Sequence, residues 1–335
     1  MPVISSKNDG WETLLVALLL LLVQTAAMAR PSTQPPSVAL RTALSHVLVA
    51  DLAAVQEQAG TTVAMFTPVR ALHNSEDAAE LELAIPPQLR PMLKPGQRYV
   101  IAYQKQRRVG KGEPRRYEPF PEGPVLLTEQ GANPALLPYH AQLERSLSAD
   151  PASAAEDPAQ LIAHIQAGLA LPELALKRFY LRELINWTAL HDDLTADDFK
   201  RLREVFAAPW LDAEMLAAFY EARPLLQQKL GLEMLTQRAL NILAGSPVQL
   251  DLLSAQPYLL LEIMRFFGSE QVSLPALPLL ARWLYSNHHL VAEKALLLMA
   301  GDNPEAAAEL AQQALQSSAL GIEGRRIMQQ FLRNR

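Results

Sequence analysis

The chain has 335 residues, and its 30 Lys and Arg against 35 Asp and Glu give a formal net charge of −5, which argues against a nucleic-acid-binding protein. It contains no cysteine, which excludes disulfides, thiolate metal sites, cysteine nucleophiles and lipid attachment through cysteine. Half of the residues are hydrophobic but only 6% are aromatic, which favours Leu- and Ala-rich helices. The length suits two domains, so we expect a mixed, mainly α protein with two cores.

The first predicted element is a leader at residues 1–29. The apolar run Leu14–Val23 has about half the length that spans a bilayer, and the small residues Ala27 and Ala29 suit a signal peptidase. We therefore expect a Sec signal peptide, cleavage after Ala29 and a periplasmic or secreted bacterial protein. Lys7 is the only cation ahead of the apolar run, so an uncleaved anchor that keeps the chain in contact with the membrane is the alternative.

Next come a flexible mature N-terminus at 30–44, rich in Pro, Ser and Thr, and a small β domain at 45–147. Turn formers separate five short runs of Val, Ile, Thr, Tyr and Phe, which predict strands at 46–52, 61–72, 79–85, 97–105 and 124–128. We expect a small barrel or sandwich, and the strand count resembles that of an OB-type barrel. The third and fourth runs predict a hairpin-like pair.

A basic segment lies between the last two predicted strands. Six cations surround the single acid Glu113, with Tyr103 and Tyr117 on either side. Such a loop could present guanidinium and aromatic groups to an anionic polymer. The alternative is a solvated loop whose charges keep a sheet edge soluble. The candidate anion-binding residues are Lys105, Arg107, Arg108, Lys111, Arg115 and Arg116.

A linker at 148–157 leads to a predicted helical domain at 158–335. Apolar residues recur there at helical spacing in about ten short segments, separated by Pro, Gly, Asp and Asn. Four residues are predicted N-caps, and Gly268 is predicted to end a helix in the left-handed conformation. Helices this short must pack on their neighbours. The predicted N-caps are Asp157, Thr195, Asp212 and Asn303.

Paired helices of this length, stacked in series, predict an α-solenoid, with an irregular helical bundle as the alternative. The segment Leu211–Leu216 and the segment Val291–Leu297 ahead of Pro304 resemble HEAT-type repeats. The resemblance covers the C-terminal half only. It implies a helix-pair scaffold that binds a partner along a concave face.

Motifs that carry catalysis are missing from the sequence. It has no GxSxG elbow, no HExxH, no phosphate-binding GxxxxGK and no GxGxxG. His289 and Glu293 share a helical face, but two ligands do not make a metal site, and His288 with His289 is predicted to begin a helix. We therefore expect no catalytic residues, no cofactor and no metal. The favoured function is a non-catalytic scaffold or adaptor for an envelope protein; the alternative is a periplasmic enzyme or anionic-polymer-binding protein with a site at the domain junction.

Overall fold

The structure, a computed structural model, describes residues 34–41, 45–58, 61–74, 80–85, 89–105, 124–126, 135–149, 157–252, 254–269 and 271–334. By their contacts these residues form two compact units, the first ending at Trp187 and the second beginning at Thr188. The chain is mainly helical, with a small sheet near its N-terminus.

The first unit contains a sheet of six described strands. Five of them confirm the predicted runs, and the short last strand was not predicted. They are β1 (Ser45–Gln58), β2 (Thr61–His73), β3 (Leu81–Ile85), β4 (Arg98–Lys105), β5 (Pro124–Leu126) and β6 (Leu136–Pro138).

Strand pairing links distant parts of the chain. β1 pairs antiparallel with both β2 and β4, and β2 pairs antiparallel with β3. β5 pairs parallel with β3 and antiparallel with β4, whose end also pairs with β6. The predicted hairpin of β3 with β4 is therefore wrong. β1 occupies one edge of β4 from Arg98 to Gln104, and β3 instead extends the ladder begun by β1 and β2.

Residues 47–50 of β1 and 99–103 of β4 are buried on both faces of the sheet and form its centre. Val47, Ala50, Tyr99 and Ile101 are each almost completely buried. Burying such side chains stabilises the fold by roughly 1.5–3 kcal/mol for each large apolar group. At the exposed end of the pair, Arg98 donates to both carboxylate oxygens of Asp51, at 2.7 and 2.9 Å.

The described part of the first unit also has a 3-10 turn at Arg90–Met92 and four α-helices: α1 (Pro36–Ala39), α2 (Ala141–Ser148), α3 (Pro158–Leu169) and α4 (Leu174–Asn186). α3 packs on α4 and α2, and α4 also contacts α1 and β6. These contacts explain why the first unit extends to Trp187, although the composition change predicts the domain boundary at 148–157.

The segment before the sheet differs from the flexible mature N-terminus predicted for 30–44. Within its described part, Pro36, Ser37, Ala39 and Leu40 are buried. The Asn186 side chain donates to the carbonyl of Gln34 at 3.0 Å. Residues 34–41 are therefore held in place by contacts with α4, a helix that lies far from them in the sequence.

The second unit is helical throughout its described residues. It begins with a 3-10 turn at Thr188–Asp192 and has a second one, Arg282–Tyr285, after α10. Its helices are α5 (Ala196–Ala207), α6 (Ala213–Glu221), α7 (Pro224–Leu230), α8 (Leu232–Gly245), α9 (Gln256–Phe267), α10 (Leu277–Ala281), α11 (His289–Asp302), α12 (Pro304–Gln316) and α13 (Ile322–Arg333).

All four predicted N-caps are confirmed. The side chains of Asp157, Asp212 and Asn303 each accept a hydrogen bond from the backbone N–H three residues ahead, and Thr195 forms a reciprocal capping box with Asp198. The left-handed cap predicted at Gly268 is wrong, because this residue has φ −78° and ψ 0° and continues the helical turn.

Arginine side chains cap helix C-termini in the second unit. The Arg325 guanidinium donates to the carbonyls of Leu315 and Ser317 at the end of α12, at 2.7 and 2.6 Å. Arg282 similarly donates to Ser246 after α8, at 2.8 Å. A cation at this position satisfies unpaired carbonyls and opposes the negative end of the helix dipole.

Candidate functional site

A cleft of about 630 Å³ lies in the first unit. Its walls come from α1, α2, α3 and α4, so it lies beside the predicted linker. Apolar side chains of α3 line one part of it and a group of polar side chains lines the rest. The polar lining includes Arg41, Gln142, Arg145, Ser146, His164 and Glu183.

A serine and a histidine meet in this cleft. Ser146 Oγ lies 2.8 Å from His164 Nε2 and 3.0 Å from the Tyr180 hydroxyl. On the other side of the ring, Gln142 Nε2 lies 3.0 Å from His164 Nδ1. A serine within hydrogen-bond distance of an imidazole that a third group orients is the arrangement expected of a nucleophile and its base.

The hydrogen bonds of Gln142 determine which ring nitrogen carries the proton. Its Nε2 donates to the His164 carbonyl at 2.7 Å, and its Oε1 accepts from Arg145 at 2.9 Å, so the amide orientation is fixed. Nε2 of Gln142 must then donate to His164 Nδ1, which leaves the proton of the neutral ring on Nε2. His164 therefore donates to Ser146 Oγ, the opposite of what a general base needs. The Ser146 hydroxyl can donate to the Gln142 carbonyl at 3.2 Å.

Glu183 lies at the base of the cleft and is buried. One carboxylate oxygen accepts from the Ser37 backbone N–H; the other accepts from the Ser37 hydroxyl at 3.0 Å and from Trp187 Nε1 at 2.8 Å. Burial raises the pKa of Glu183 to about 7, against the opposing effect of these donors and of the nearby Arg41 charge. Glu183 therefore fixes the N-terminal segment to α4.

Two features of the local sequence create this geometry. Gly168 allows α3 to approach α4 closely, because a Cβ at this position would overlap the Tyr180 ring. Arg41 donates from Nε to the Ser37 carbonyl at 2.7 Å and from Nη1 to the carbonyls of Leu147 and Ala149 after α2. These contacts join α1 to the C-terminal end of α2.

The electrostatics of the cleft follow from burial and from Arg145. Burial, with the Arg145 charge as a smaller cause, lowers the pKa of His164. Burial also raises the pKa of Tyr180, so this phenol stays protonated. The imidazole is neutral at neutral pH, and the two arginines supply the positive charge of the cleft.

The candidate anion-binding residues from the sequence fall almost wholly outside the part of the chain that the structure describes. Lys105 ends β4, and only its backbone is described. The other five candidates, Arg107, Arg108, Lys111, Arg115 and Arg116, lie outside the described residues, as does the predicted leader at 1–29.

The paired histidines of the second unit begin a helix, as predicted. His288 is the N-cap of α11, and its ring stacks on that of His289 with centroids 5.7 Å apart. Burial and the neighbouring His289 lower the pKa of His288 to about 4. Within the described parts of the chain, no group of three or more His, Asp or Glu side chains could hold a metal ion.

A second groove, of about 470 Å³, lies in the second unit between the end of α5 and one face of α8. Phe206 and Met234 supply its apolar surface, and Glu233 and Arg238 supply opposite charges. The Arg238 guanidinium lies 4.7 Å from the centroid of the Phe206 ring, a cation–π contact.

Comparison with protein-family models, with curated proteins and with solved structures finds no match for this chain. None of the helices in the described residues is both long enough and apolar enough to cross a membrane.

Sequence reasoning missed every polar contact in the cleft. His164, Ser146, Tyr180 and Glu183 belong to no sequence motif. They meet because α2, α3 and α4 pack together, and no local spacing signals this. The sequence offers one signal: Gly168 lies within an apolar helical segment, and a glycine there indicates that another element packs closely against the helix.

Proposed function

We propose that the protein is an exported, non-catalytic adaptor that binds another protein of the cell envelope through its C-terminal helices. The observation that carries this proposal is the serial packing of the second unit. α9 packs on α6, α11 packs on α9, and α13 packs on both α11 and α12. From α9 to α13 the contacts join helices one or two places apart in the chain, while α9 reaches back past α7 and α8 to α6; the ordered contacts of the last helices support a stacked HEAT-like array there.

The last helix of this array has the character of an end cap. α13 buries Gly324 and Met328, while its outer residues Glu323, Arg326 and Gln330 are exposed and polar. A stacked array needs such a polar terminal helix, because its last apolar face has no following repeat to cover it.

A surface suited to a protein partner lies along the middle of the array. α11 contacts α9, α10, α12 and α13. Its Glu293 side chain is nevertheless exposed, and Leu297 is half exposed. Arg265 on α9 is also exposed. This mixture of apolar and charged side chains is typical of interfaces that form between separately folded proteins.

The cleft in the first unit supports a non-catalytic role. Its Ser146 and His164 resemble a nucleophile and base only in distance, because the Gln142 amide holds the imidazole in the wrong tautomer. The three hydrogen bonds on the Glu183 carboxylate serve to hold Ser37 and Trp187. Both groups of contacts join helices to one another.

The adaptor is tested by site-specific photocrosslinking in cells that make the full chain. A photoreactive residue at Leu297 is expected to give one discrete adduct with an envelope protein, and the exposed position Gln313 on α12 serves as the matched control. The substitution Leu297→Asp should abolish recovery of the same partner without changing the melting temperature. The proposal fails if Leu297 gives no adduct, or if both positions give the same mixture.

Export is part of the proposal and has its own test. The protein recovered from the periplasmic fraction should begin at Arg30 by N-terminal sequencing. Recovery of the full-length chain with the membrane fraction would favour the uncleaved anchor instead.

For the β domain we propose an OB-type barrel. The strand pairings form a cycle: β1 pairs with β2, β2 with β3, β3 with β5, β5 with β4, and β4 with β1. This cycle supports a closed barrel. The candidate basic residues then lie in the β4–β5 connection, one of the loops with which OB-type barrels bind ligands. Binding of an anionic envelope polymer through this loop is therefore the second candidate function.

A nucleic acid is the less suitable polymer for this loop. The outward residues described on β2 and β3 include Val63, Met65, Glu82 and Ala84 and no aromatic side chain on which bases could stack. Purified lipopolysaccharide and anionic phospholipid vesicles are the probes. Replacing Arg107, Arg108, Arg115 and Arg116 together by Ala should abolish binding, and binding that salt leaves unchanged would reject this second function.

A further inference from the structure

The cleft of the first unit has the size and the walls of a small-molecule site. Its volume of about 630 Å³ lies in the range that holds a small organic ligand. Leu161, which is half-buried, and the exposed Ala163 and Ala167 are the accessible apolar side chains of α3 that line it. Trp187 adds a half-buried aromatic ring at the opposite side.

Two arginines are the cations among the described residues that line the cleft. Arg41 and Arg145 are cationic, His164 is neutral, and the Glu183 carboxylate is buried beneath its three donors. Arg145 bonds the Gln142 side chain through Nη2 and is exposed; among the described residues its Nη1 has no protein acceptor. A guanidinium in this state pairs readily with a carboxylate or a phosphate.

We propose that this cleft binds a small amphipathic acid, with its anionic group on the Arg145 guanidinium and its apolar body against Leu161 and Ala167 of α3. The fixed orientation of Gln142 and His164 would hold the guanidinium in place before the ligand arrives, which lowers the entropy cost of binding. This site is independent of the proposed adaptor surface, which belongs to the other unit.

The test is displacement of the fluorescent anion 8-anilinonaphthalene-1-sulfonate from the purified full-length chain. Decanoate and decyl phosphate carry the anionic head on the same apolar body, and decanol lacks the charge. We expect saturable displacement by at least one acid and at least tenfold weaker displacement by decanol. If only decanoate displaces the probe, the cleft recognises a carboxylate, and if only decyl phosphate does, it recognises a phosphate. If both displace it, the cleft accepts either anionic head group.

Two variants separate the cleft from the rest of the surface. Arg145→Gln should weaken displacement by the acids about tenfold, the loss expected for one charge-assisted hydrogen bond, whereas Arg326→Gln on α13 should leave it unchanged. Ala163→Trp fills the cleft from an exposed helical position and should abolish displacement, with Gln313→Trp as its control. If Arg145→Gln does not fold, Ala163→Trp decides alone. The proposal is overturned if a cleft variant and its control show equal displacement of the probe. It is also overturned if decanol displaces the probe as well as the acids do.

Discussion

Glu183 shows how a single buried carboxylate is held by competing effects. Removal from water favours its neutral form, and the hydrogen bonds from Ser37 and Trp187 favour the charged form. The pKa of about 7 against an ordinary 4.5 means that burial is the larger effect. The folded chain therefore binds this proton more tightly than the unfolded chain does.

This difference predicts a pH dependence of stability. Below pH 4.5 the carboxyl is protonated in both states, and as the pH rises to about 7 only the unfolded chain gives up the proton readily. The contribution of Glu183 to the free energy of unfolding should fall across this window, by about 3 kcal/mol in total. Denaturant unfolding between pH 5 and 8 measures it.

The variant Glu183→Gln isolates this effect, because it cannot ionise. The stability of the native chain relative to Glu183→Gln should decrease from pH 5 to about 7 and level off above that pH. His164, whose pKa burial lowers, is present in both proteins, so its contribution cancels. The exposed Glu323→Gln serves as control. A pH-independent difference between native chain and Glu183→Gln would show that Glu183 is not the titrating group.

Residues whose role is local could be predicted, and residues whose role depends on tertiary packing could not. Asp157, Thr195 and Asn303 cap helices through bonds to N–H groups three residues away, so the sequence contains the whole interaction. Ser146 and Tyr180 bond across 34 positions of chain. Ser37 and Glu183 bond across 146. No spacing rule relates such pairs.

At the scale of elements, the close approach of α3 to α4 depends on one missing side chain. The Cβ of an alanine at 168 would overlap the Tyr180 ring, which is itself buried in the core. Gly168→Ala should destabilise the protein by about 1–3 kcal/mol through overpacking. Gly301→Ala, also helical but with open space around its Cβ position, should stabilise it by about 0.5–1 kcal/mol. Denaturant melts that show equal effects would contradict this assignment.

The cap that Arg325 forms on α12 gives a second prediction at this scale. Arg325→Met removes both donors from the carbonyls of Leu315 and Ser317 and should cost about 1–3 kcal/mol. Arg325→Lys should recover only part of the loss, because a single ammonium does not match two carbonyls as a guanidinium does. Thermal melts of both variants test this.

The matched control for this cap is the neighbouring Arg326, which is largely exposed and pairs only with Glu323 at 3.4 Å. An exposed pair of this kind contributes little to stability. Arg326→Met should therefore change the melting temperature much less than Arg325→Met. Similar losses for the two arginines would show that the cap at α12 adds nothing to stability.

The identity of the strands was predictable, but their pairing was not. Alternation of polar and apolar residues is a local signal, and it predicts β3 and β4 close to their observed positions. Their partners are chosen by which edges remain open once β1 has paired with both β2 and β4. The predicted hairpin failed for this reason, since it assumed that neighbours in sequence pair in space.

At the scale of the whole molecule, the described chain has two compact units that meet in sequence at Trp187 and Thr188. The sequence placed the boundary at 148–157, where the composition turns to Ser, Ala, Asp and Pro. A change in amino-acid composition shows where a helix or strand is interrupted. A boundary between two units lies where contacts between the residues on its two sides become few. α3 and α4 follow the interruption but pack on α1, α2 and β6, so they belong to the first unit.

Two units with separate cores should respond separately to damage. Hydrogen exchange followed by mass spectrometry of the native chain, Gly168→Ala and Arg325→Met measures this by segment. Gly168→Ala should increase exchange in α3 and α4 but leave α11–α13 unchanged, because the strain lies within the first unit. Arg325→Met should increase exchange in α12 and α13 alone, since loss of an end cap in a stacked array opens the array from that end. If either variant raised exchange throughout the chain, the two units would unfold as one cooperative body, and the serial array on which the proposed adaptor depends would lose its support.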